Sequence, residues 1–471
     1  MAQIAELTAG HEAELTLDFS YSFGGAPTGQ ALNEGWNEIN SSRNQQPLLG
    51  QNVINATWLR QICLDQGADD VGFVEIDRPE LDDQPSDILA VFPKAQTLIS
   101  IVCRMNRENI RSSARSVANL EFHHANDGLN ETARNIVREL ERIGVRAINP
   151  AVGFPMEMDR FPKGWVVSHK PVAVAAGLGQ MGIHRNVIHP KFGNFILLDT
   201  VITDARVGAY SREIDYNPCV ECKLCVAACP VGAIGSDGYF NFSACLTHNY
   251  REFMTGFNEW VGTVVDSKDS SEYRKAVSSA ETASIWQSLS FGANYKAAYC
   301  MAVCPAGEEV ISPFKSDRKA FLDDVVRPLQ AKQETIYVIP GSDAEEHVAR
   351  RFPNKKVKQT KGGVGAGSVR QFLKGLPLVF QPGKSEKVEA TFQFRFTGEE
   401  TLDAVVVIRN RRVTVAEGQV DHPDVTVAAD SRSWVRFLGK EIGLPRAILT
   451  GKIRIRGNFR LMRTFAKCFP G

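Results

Sequence analysis

Cys219, Cys222, Cys225 and Cys229 stand in the run Cys-x2-Cys-x2-Cys-x3-Cys, closed by Pro230. This spacing lets one short loop supply thiolates to iron–sulfur clusters: three sulfurs converge on one cube, and the proline turns the chain so that the fourth serves a neighbouring cluster. A shorter echo follows at Cys300-Met301-Ala302-Val303-Cys304-Pro305. By the crossing rule of two-cluster ferredoxins, Cys304 completes the set of Cys219, Cys222 and Cys225, while Cys229 crosses to a second cluster with Cys300. The echo lacks two cysteines, because Ala297 and Asn294 occupy the positions three and six residues before Cys300. Cys245 is the remaining cysteine between the motifs and is assigned to the second cluster. The expectation is two iron–sulfur clusters, at least one of them 4Fe-4S. With three thiolates, the second is either 3Fe-4S or a 4Fe-4S form with a ligand other than cysteine, for which His248, Asn294 and Tyr299 are nearby candidates.

Zinc is the rival metal for paired Cys-x2-Cys elements, but zinc ribbons rarely add a third step followed by Cys-Pro. Disulfides would need an oxidising compartment. The opening Met1-Ala2-Gln3-Ile4-Ala5-Glu6 has no basic start, apolar core or twin arginine, so the expected location is cytoplasmic. Cys63, Cys103 and Cys468 sit alone in apolar surroundings and read as small buried hydrophobes.

The elements that must position these ligands can be read in blocks. A chain of 471 residues, 43% hydrophobic and 23% charged, has room for two or three globular domains. No stretch approaches a membrane span. A formal net charge of zero argues against nucleic acid as a partner. Residues 1–50, rich in Gly, Asn and Ser, read as an extended arm. Residues 51–213 alternate helical and strand patterns, with Leu129, Ala133, Ile136, Val137, Leu140 and Ile143 at helical spacing and strands in Thr97–Val102 and Phe195–Leu198. Residues 214–330 form the cluster-binding, ferredoxin-like segment. Residues 331–375 read as a linker containing the glycine-rich stretch 361–367. From residue 376 the period-two run Val388, Ala390, Phe392, Phe394, Phe396 opens a small α+β module ending at residue 471, with a turn at Arg409-Asn410 and a strand in Gly451–Gly457. The fold class is α+β.

Two resemblances sharpen this reading. Val407-Ile408, Glu417-Gly418, Pro423–Val427 and Gly451–Asn458 resemble the sterol-carrier-protein-2 family, whose fold either encloses an apolar ligand or serves association. That makes a homodimer one expectation. Further upstream, Ser168–Gly182, with its Ala176-Gly177-Leu178-Gly179 core, leads into His189-Pro190-Lys191-Phe192-Gly193 and Val201–Asp204 just before the cysteines. This region resembles the cobalamin-dependent reductases that include reductive dehalogenases and epoxyqueuosine reductase.

The second resemblance implies a nitroreductase-like α/β domain that binds base-off cobalamin against the clusters, with the cofactor carrying the difficult chemistry. The implied corrinoid contacts are His169, Lys170, Gly177, Gly179, Gly182, His189 and Gly193, the glycines allowing close backbone approach. Reductive dehalogenation of a small organohalide is the first expected reaction, and epoxyqueuosine-type deoxygenation or non-catalytic electron carriage the alternatives. The chain departs from both reactions' patterns: Gly193-Asn194-Phe195 replaces a Gly-Pro-Arg sequence, and Phe161-Pro162-Lys163-Gly164-Trp165 stands where an Asp-Ser-Ala-Pro acid is found. Tyr250, Tyr210, Lys163 and Asp159 are then the candidate proton donors. No strand-linked Gly-x-Gly-x-x-Gly is present, so a separate ferredoxin or flavodoxin is expected to supply electrons.

Overall fold

The computed structural model describes residues 46–470 apart from 51, 83, 161–163, 220–221 and 361–364. The arm expected over residues 1–50 therefore lies almost wholly outside the described residues. Its last part, Leu48–Gly50, is a short strand paired with Val53–Ile54.

The first sheet contains β1 (Asp70–Glu75), β2 (Thr97–Arg104), β3 (Ala147–Ile148) and β4 (Ile196–Thr203) in the order β1-β2-β4-β3, with every pairing antiparallel. Strand β2 is apolar on both faces, and the structure covers both. Ile99 and Ile101 pack with Leu129, Ala133, Ile136 and Leu140 of α1 (Arg115–Arg142), whereas Leu98 and Val102 pack with Val172 and Ala173 of α2 (His169–Ala175). A strand buried on two faces reads as a continuous apolar run because neither set of alternate side chains meets water.

The cluster segment is built from short helices: α3 (Leu224–Ala228), α4 (Phe242–His248) and α5 (Tyr299–Ala302), with three longer helices, Gly256–Asp266, Ser270–Ala276 and Ser279–Phe291, between α4 and α5. The segment expected as a linker is folded. Strand β5 (Thr335–Val338), α6 (Asp343–Arg351) and the parallel β6 (Lys356–Gln359) form a small unit. Its Ile336, Val338, Ala344 and Val348 share a core with Cys225, Cys229 and Tyr299. Helix α7 (Val369–Val379), also placed in the linker by sequence, contributes Val369, Leu373 and Leu376 to the C-terminal core instead. Two four-residue strands flanking a largely charged helix give little periodic signal, which is why the unit escapes a pattern search.

The C-terminal module has a five-stranded sheet of β7 (Ala390–Thr397), β8 (Leu402–Arg409), β9 (Arg412–Glu417), β10 (Val425–Asp430) and β11 (Ile453–Gly457), ordered β9-β8-β7-β10-β11. Strands β7 and β10 are parallel, and the other pairs are antiparallel. Phe392, Phe394 and Phe396 are fully buried against α8 (Ser431–Leu438) and α9 (Phe459–Cys468): Phe392 lies 4.7 Å from Phe465, and Phe394 and Phe396 lie 5.7 and 5.8 Å from Trp434. The phenylalanines close a packed core.

Candidate iron–sulfur and redox site

Two similar turns deliver the thiols. Lys223 adopts a left-handed conformation (φ 49°) and starts α3, placing Cys225 in its first turn and Cys229 just beyond its end. Ala298 does the same (φ 52°) at the start of α5, placing Cys300 in the first turn and Cys304 beyond it. The backbone N–H groups of Ile183 and Ala233 donate to the Cys219 and Cys229 sulfurs at 3.4 and 3.3 Å. Such bonds favour the thiolate.

The thiols form two adjoining groups. Burial pushes Cys304 up to about 12, and the nearby Cys222, Cys219 and Cys300 add to the effect. Cys225 is raised by burial and then by Cys300, Cys304, Cys222 and Cys219. Burial likewise raises Cys245, with Cys300 and Cys229 adding repulsion, and takes Cys300 to about 12 with Cys229 as the next cause. Cys219, Cys222, Cys225 and Cys304 thus act on one another, as do Cys229, Cys245 and Cys300, and Cys300 is felt by both sets. Buried thiols that oppose one another's ionisation are a poor arrangement for the bare protein and a good one for iron, which takes up the charge. The donor set fits iron–sulfur clusters. Among the described residues, no three His, Cys, Asp or Glu side chains converge closely enough to hold a single metal ion.

Of the candidates for a fourth ligand of the second group, Tyr299 and Asn294 are engaged elsewhere, whereas His248 has only one ring nitrogen engaged and its Nε2 has no partner among the described residues. The Tyr299 hydroxyl donates to Glu334 at 2.8 and 2.9 Å. Asn294 donates to Glu252 at 3.2 Å, and His248 Nδ1 accepts from the Tyr337 N–H at 3.3 Å. Lys170 and Tyr250 do lie by this group. Burial lowers the Lys170 pKa while Cys300 and Cys245 support its charge. Burial raises the Tyr250 phenol, with Tyr295, Cys245 and Cys300 adding to it.

The residues named for a corrinoid are committed to protein contacts. Gly177 (φ 73°) caps α2: its N–H donates to Val174 O and that of Leu178 to Ala173 O, the paired bonds of a Schellman motif. A Cβ there would lie 2.3 Å from the Arg212 carbonyl oxygen. The same test puts a Cβ at Gly179 2.4 Å from Ile188 O, at Gly193 2.1 Å from Ala306 O, and at Gly182 2.7 Å from the His184 ring. Gly307, just past Cys304-Pro305, returns the contact, since its Cβ would lie 2.4 Å from Gly193 N. On the side that a Cβ would take, these glycines admit neighbouring protein.

His169 is buried between Thr200 Oγ1 (3.0 Å) and Ala151 O (3.1 Å), and burial lowers it to about 4. Asp199 Oδ1 lies 3.6 Å from it and is pushed up to about 8 by its own burial. His189 meets Asp70 at 3.1 Å, and Lys170 Nζ donates to Arg185 O at 2.7 Å and Asn186 Oδ1 at 2.9 Å. All seven residues thus make contacts with neighbouring protein groups.

Of the proton-donor candidates among the described residues, Tyr250 alone is placed beside thiols. Tyr210 packs in the core between the sheet and α1, its hydroxyl held by Thr97 Oγ1 at 3.0 Å and the Val207 N–H at 3.2 Å, so it serves the fold. Asp159 is exposed, with its backbone carbonyl accepting from Gln371 at 2.7 Å, and Lys163 lies outside the described residues.

Sequence reasoning passed over a cavity of about 540 Å³ beside this site, lined among others by Arg115, His123, His248, Tyr295, Lys296 and Lys332. Its residues come from four separated stretches of chain, and no local motif marks them.

Comparison with known proteins divides the chain in the same way. Residues 380–470 match the SCP-2 sterol transfer family, and residues 212–235 match the 4Fe-4S binding domain. An epoxyqueuosine reductase of Cellulophaga algicola is 27% identical over 149 residues, which is 30% of this chain and 44% of that protein. The chain thus spans less than half the length of this curated relative. Among solved structures, the epoxyqueuosine reductase of Streptococcus thermophilus is similar at 18% identity, over 40% of this chain and 56% of that one, with a TM-score of 0.30. A B12-dependent reductive dehalogenase is similar at 18% identity over 38% and 25%, with a TM-score of 0.31. The chain thus carries a segment that matches the 4Fe-4S binding domain, is similar in its central part to an epoxyqueuosine reductase, and carries at residues 380–470 a domain that matches the SCP-2 sterol transfer family.

Proposed function

We propose that this protein is an iron–sulfur reductase that cleaves a carbon–oxygen bond of an organic substrate, as an epoxyqueuosine-type deoxygenation, rather than a dehalogenase. The observation that carries the reading is the pair of adjoining, buried to half-buried thiol groups within a chain similar to an epoxyqueuosine reductase. This reverses the order expected from sequence, where organohalides came first. Electrons from an external ferredoxin or flavodoxin enter at the Cys219 group and reach the Cys245 group, which adjoins it through Cys300. Tyr250, beside the second group, is a proton donor in this reading: removing the epoxide oxygen as water takes two electrons and two protons, and a proton delivered to the departing oxygen lets it leave while the carbon–carbon double bond forms.

The second group holds a three-thiolate cluster, since position 297, the counterpart of Cys222, is alanine. A base-off corrinoid is the carrier implied by the sequence resemblance. The residues named for it are engaged with the protein. Among the described residues no helix is long and apolar enough to cross a membrane.

The test is anaerobic reconstitution with iron, sulfide and cobalamin, followed by gel filtration and assay with reduced flavodoxin. The substrates are an epoxyqueuosine-bearing RNA stem loop, small epoxides and aryl halides. Deoxygenation of the stem loop or of an epoxide is expected, and Tyr250→Phe should abolish it while iron content is retained. Halide release without epoxide reduction would restore the dehalogenase reading. Epoxide reduction by protein from which no corrinoid can be extracted would remove cobalamin from the proposal.

A further inference from the structure

The last strand and helix of the C-terminal module carry charge of one sign. From Ile442 to Gly471 the chain has seven basic residues, five of them arginine, and neither Asp nor Glu. All seven are exposed. The net charge of zero, which argued against nucleic acid for the chain as a whole, conceals this block, because the acids that balance it lie in the rest of the sequence. The module's ion pairs lie elsewhere: Arg370 meets Glu417 at 2.7 Å, Arg432 meets Glu399 at 3.6 Å and Arg436 meets Glu441 at 2.9 Å.

The fold sets these cations on two sides of one edge. In β11, Ile453 and Ile455 turn to the core, so alternation turns Lys452, Arg454 and Arg456 to the solvent face of the sheet. There Arg454 shares a row with Ala428 and with the exposed Arg395 of β7, two strands and about 10 Å away. Helix α9 packs on the other face through Leu461, Phe465 and Cys468, which leaves Arg460, Arg463 and Lys467 in one stripe away from the core. Strand β11 is the edge strand, and Asn458 caps α9 directly after it. Phe459 stands at this joint, 48% exposed, with Arg463 over its ring at 5.5 Å. Three carboxylates border the sheet side, and each is engaged: Asp403 accepts from Gln419 at 2.6 Å, Asp424 from the Thr391 N–H at 2.8 Å and Asp430 from the Ser433 N–H at 2.9 Å.

Charge on an edge strand also guards against unwanted pairing, but the opposite edge shows how little that takes. Strand β9 begins at Arg412 and ends at Glu417, which is paired. On α9, by contrast, like charges stand three and four residues apart with no acid among them, an arrangement that weakens a helix unless an outside anion answers it. Guanidinium groups suit phosphate, which they meet through two parallel bonds. A flat anionic membrane meets one side of such an edge at a time, whereas a polynucleotide strand can follow the charges round it and stack a base on an exposed aromatic ring. We propose that this edge binds a single-stranded polynucleotide, with phosphates on Arg454 and Arg456 on one side, on Arg460 and Arg463 on the other, and a base on Phe459. That the strand is RNA rests on the proposed function; phosphate binding does not.

Fluorescence anisotropy of the full-length, cluster-reconstituted protein with a short, labelled, unmodified RNA tests the inference, with DNA of the same sequence and vesicles of phosphatidylserine and phosphatidylcholine alongside. The vesicles are needed because Leu449, three residues before Lys452, is 87% exposed and is what a bilayer would take up. Saturable binding of RNA is expected, falling on the order of a hundredfold between about 50 and 200 mM salt. Arg454→Gln with Arg456→Gln, and separately Arg460→Gln with Arg463→Gln, should each weaken it about tenfold and flatten its salt dependence. Phe459→Ala should weaken it about tenfold with the salt dependence unchanged. Arg432→Gln, which removes a cation that already has a partner, should leave affinity unchanged. These side chains are exposed, so thermal melting should not move. Equal affinity for RNA and DNA would support the phosphate edge and remove the assignment to RNA. Absence of salt-sensitive binding, wild-type affinity in either double variant, or binding to the vesicles without binding to RNA would overturn the proposal. The RNA is unmodified and no turnover is measured, so failure of the deoxygenation reading would leave this result standing.

Discussion

The turns at Cys222–Cys229 and Ala297–Cys304 are built alike and equipped differently. Each uses a non-glycine residue in left-handed conformation, Lys223 or Ala298, to start a one-turn helix, and each places a cysteine in that helix and another after it. The first turn adds a thiol just before the left-handed residue, whereas the second has Ala297, 4% exposed, with its N–H donating to Asn249 Oδ1 at 3.0 Å. The backbone is thus held by means other than metal at the second turn. A scaffold can keep its shape after losing a ligand, so cluster type must be read from side chains and not from the turn.

The sharpest way to break this comparison is to remove the thiol that one turn has and the other lacks. Cys222→Ser should lose most of the iron of the first group, while Ala297→Ser should leave iron content unchanged; equal losses, measured as iron and acid-labile sulfide per chain, would contradict the asymmetry. The converse change is smaller in effect. Ala297→Cys should add one iron per chain and replace a three-iron electron paramagnetic resonance signal by that of a reducible four-iron cluster.

A third test concerns the sheet domain, whose stability should not depend on metal. Asp199, raised to about 8, holds a proton in the folded state that the unfolded chain has lost, so its contribution to stability falls as pH rises towards 8. His169, lowered to about 4, refuses a proton that the unfolded chain takes up below its ordinary value of 6.5. The two proton counts cancel between about pH 4 and 6.5, where each state of the pair holds one proton, and Asp199 alone sets the slope from about 6.5 to 8. Stability should fall by about 2 kcal/mol across that interval. Asp199→Asn should flatten it in denaturant titrations of the apoprotein, and an unchanged slope would mean the proton is held elsewhere.

The smallest effect is at the left-handed residues themselves. A residue with a Cβ costs about 1–2 kcal/mol in this conformation, partly offset by the greater unfolded-state freedom of glycine. Ala298→Gly should therefore raise stability by about 0.5–1 kcal/mol. Lys223→Gly should do the same, and a destabilisation in chemical denaturation of either variant would show that the side chain is required.

What could be read from the sequence follows the range of the physics involved. The cysteine spacings act over a few residues, and in the structure Cys304 feels Cys222 and Cys219 while Cys245 feels Cys300 and Cys229. The alternation from Val388 to Phe396 is equally local, and every one of those apolar side chains is buried. The close protein contacts of the glycines could not be read, because the atoms that a Cβ would meet belong to Arg212, Ile188 and Ala306, remote or unmarked in the sequence. The same holds for the cavity, assembled from α1, α4, the approach to α5 and the approach to β5. The fourth-ligand candidates were chosen by proximity in sequence, which cannot show that Tyr299 and Asn294 are held by Glu334 and Glu252.

The meeting of Gly193 and Gly307 has a mechanical consequence. Backbone lies against backbone there, with no side chain between the hairpin that ends at Gly193 and the chain just past Cys304. Side chains act as compliant spacers, because each rotatable bond adds play to the separation it bridges. This joint has none. The first thiol group is therefore seated on the sheet domain with the tolerance of the peptide chain itself, and a larger residue on either side would act as a shim that displaces the whole cluster-binding loop.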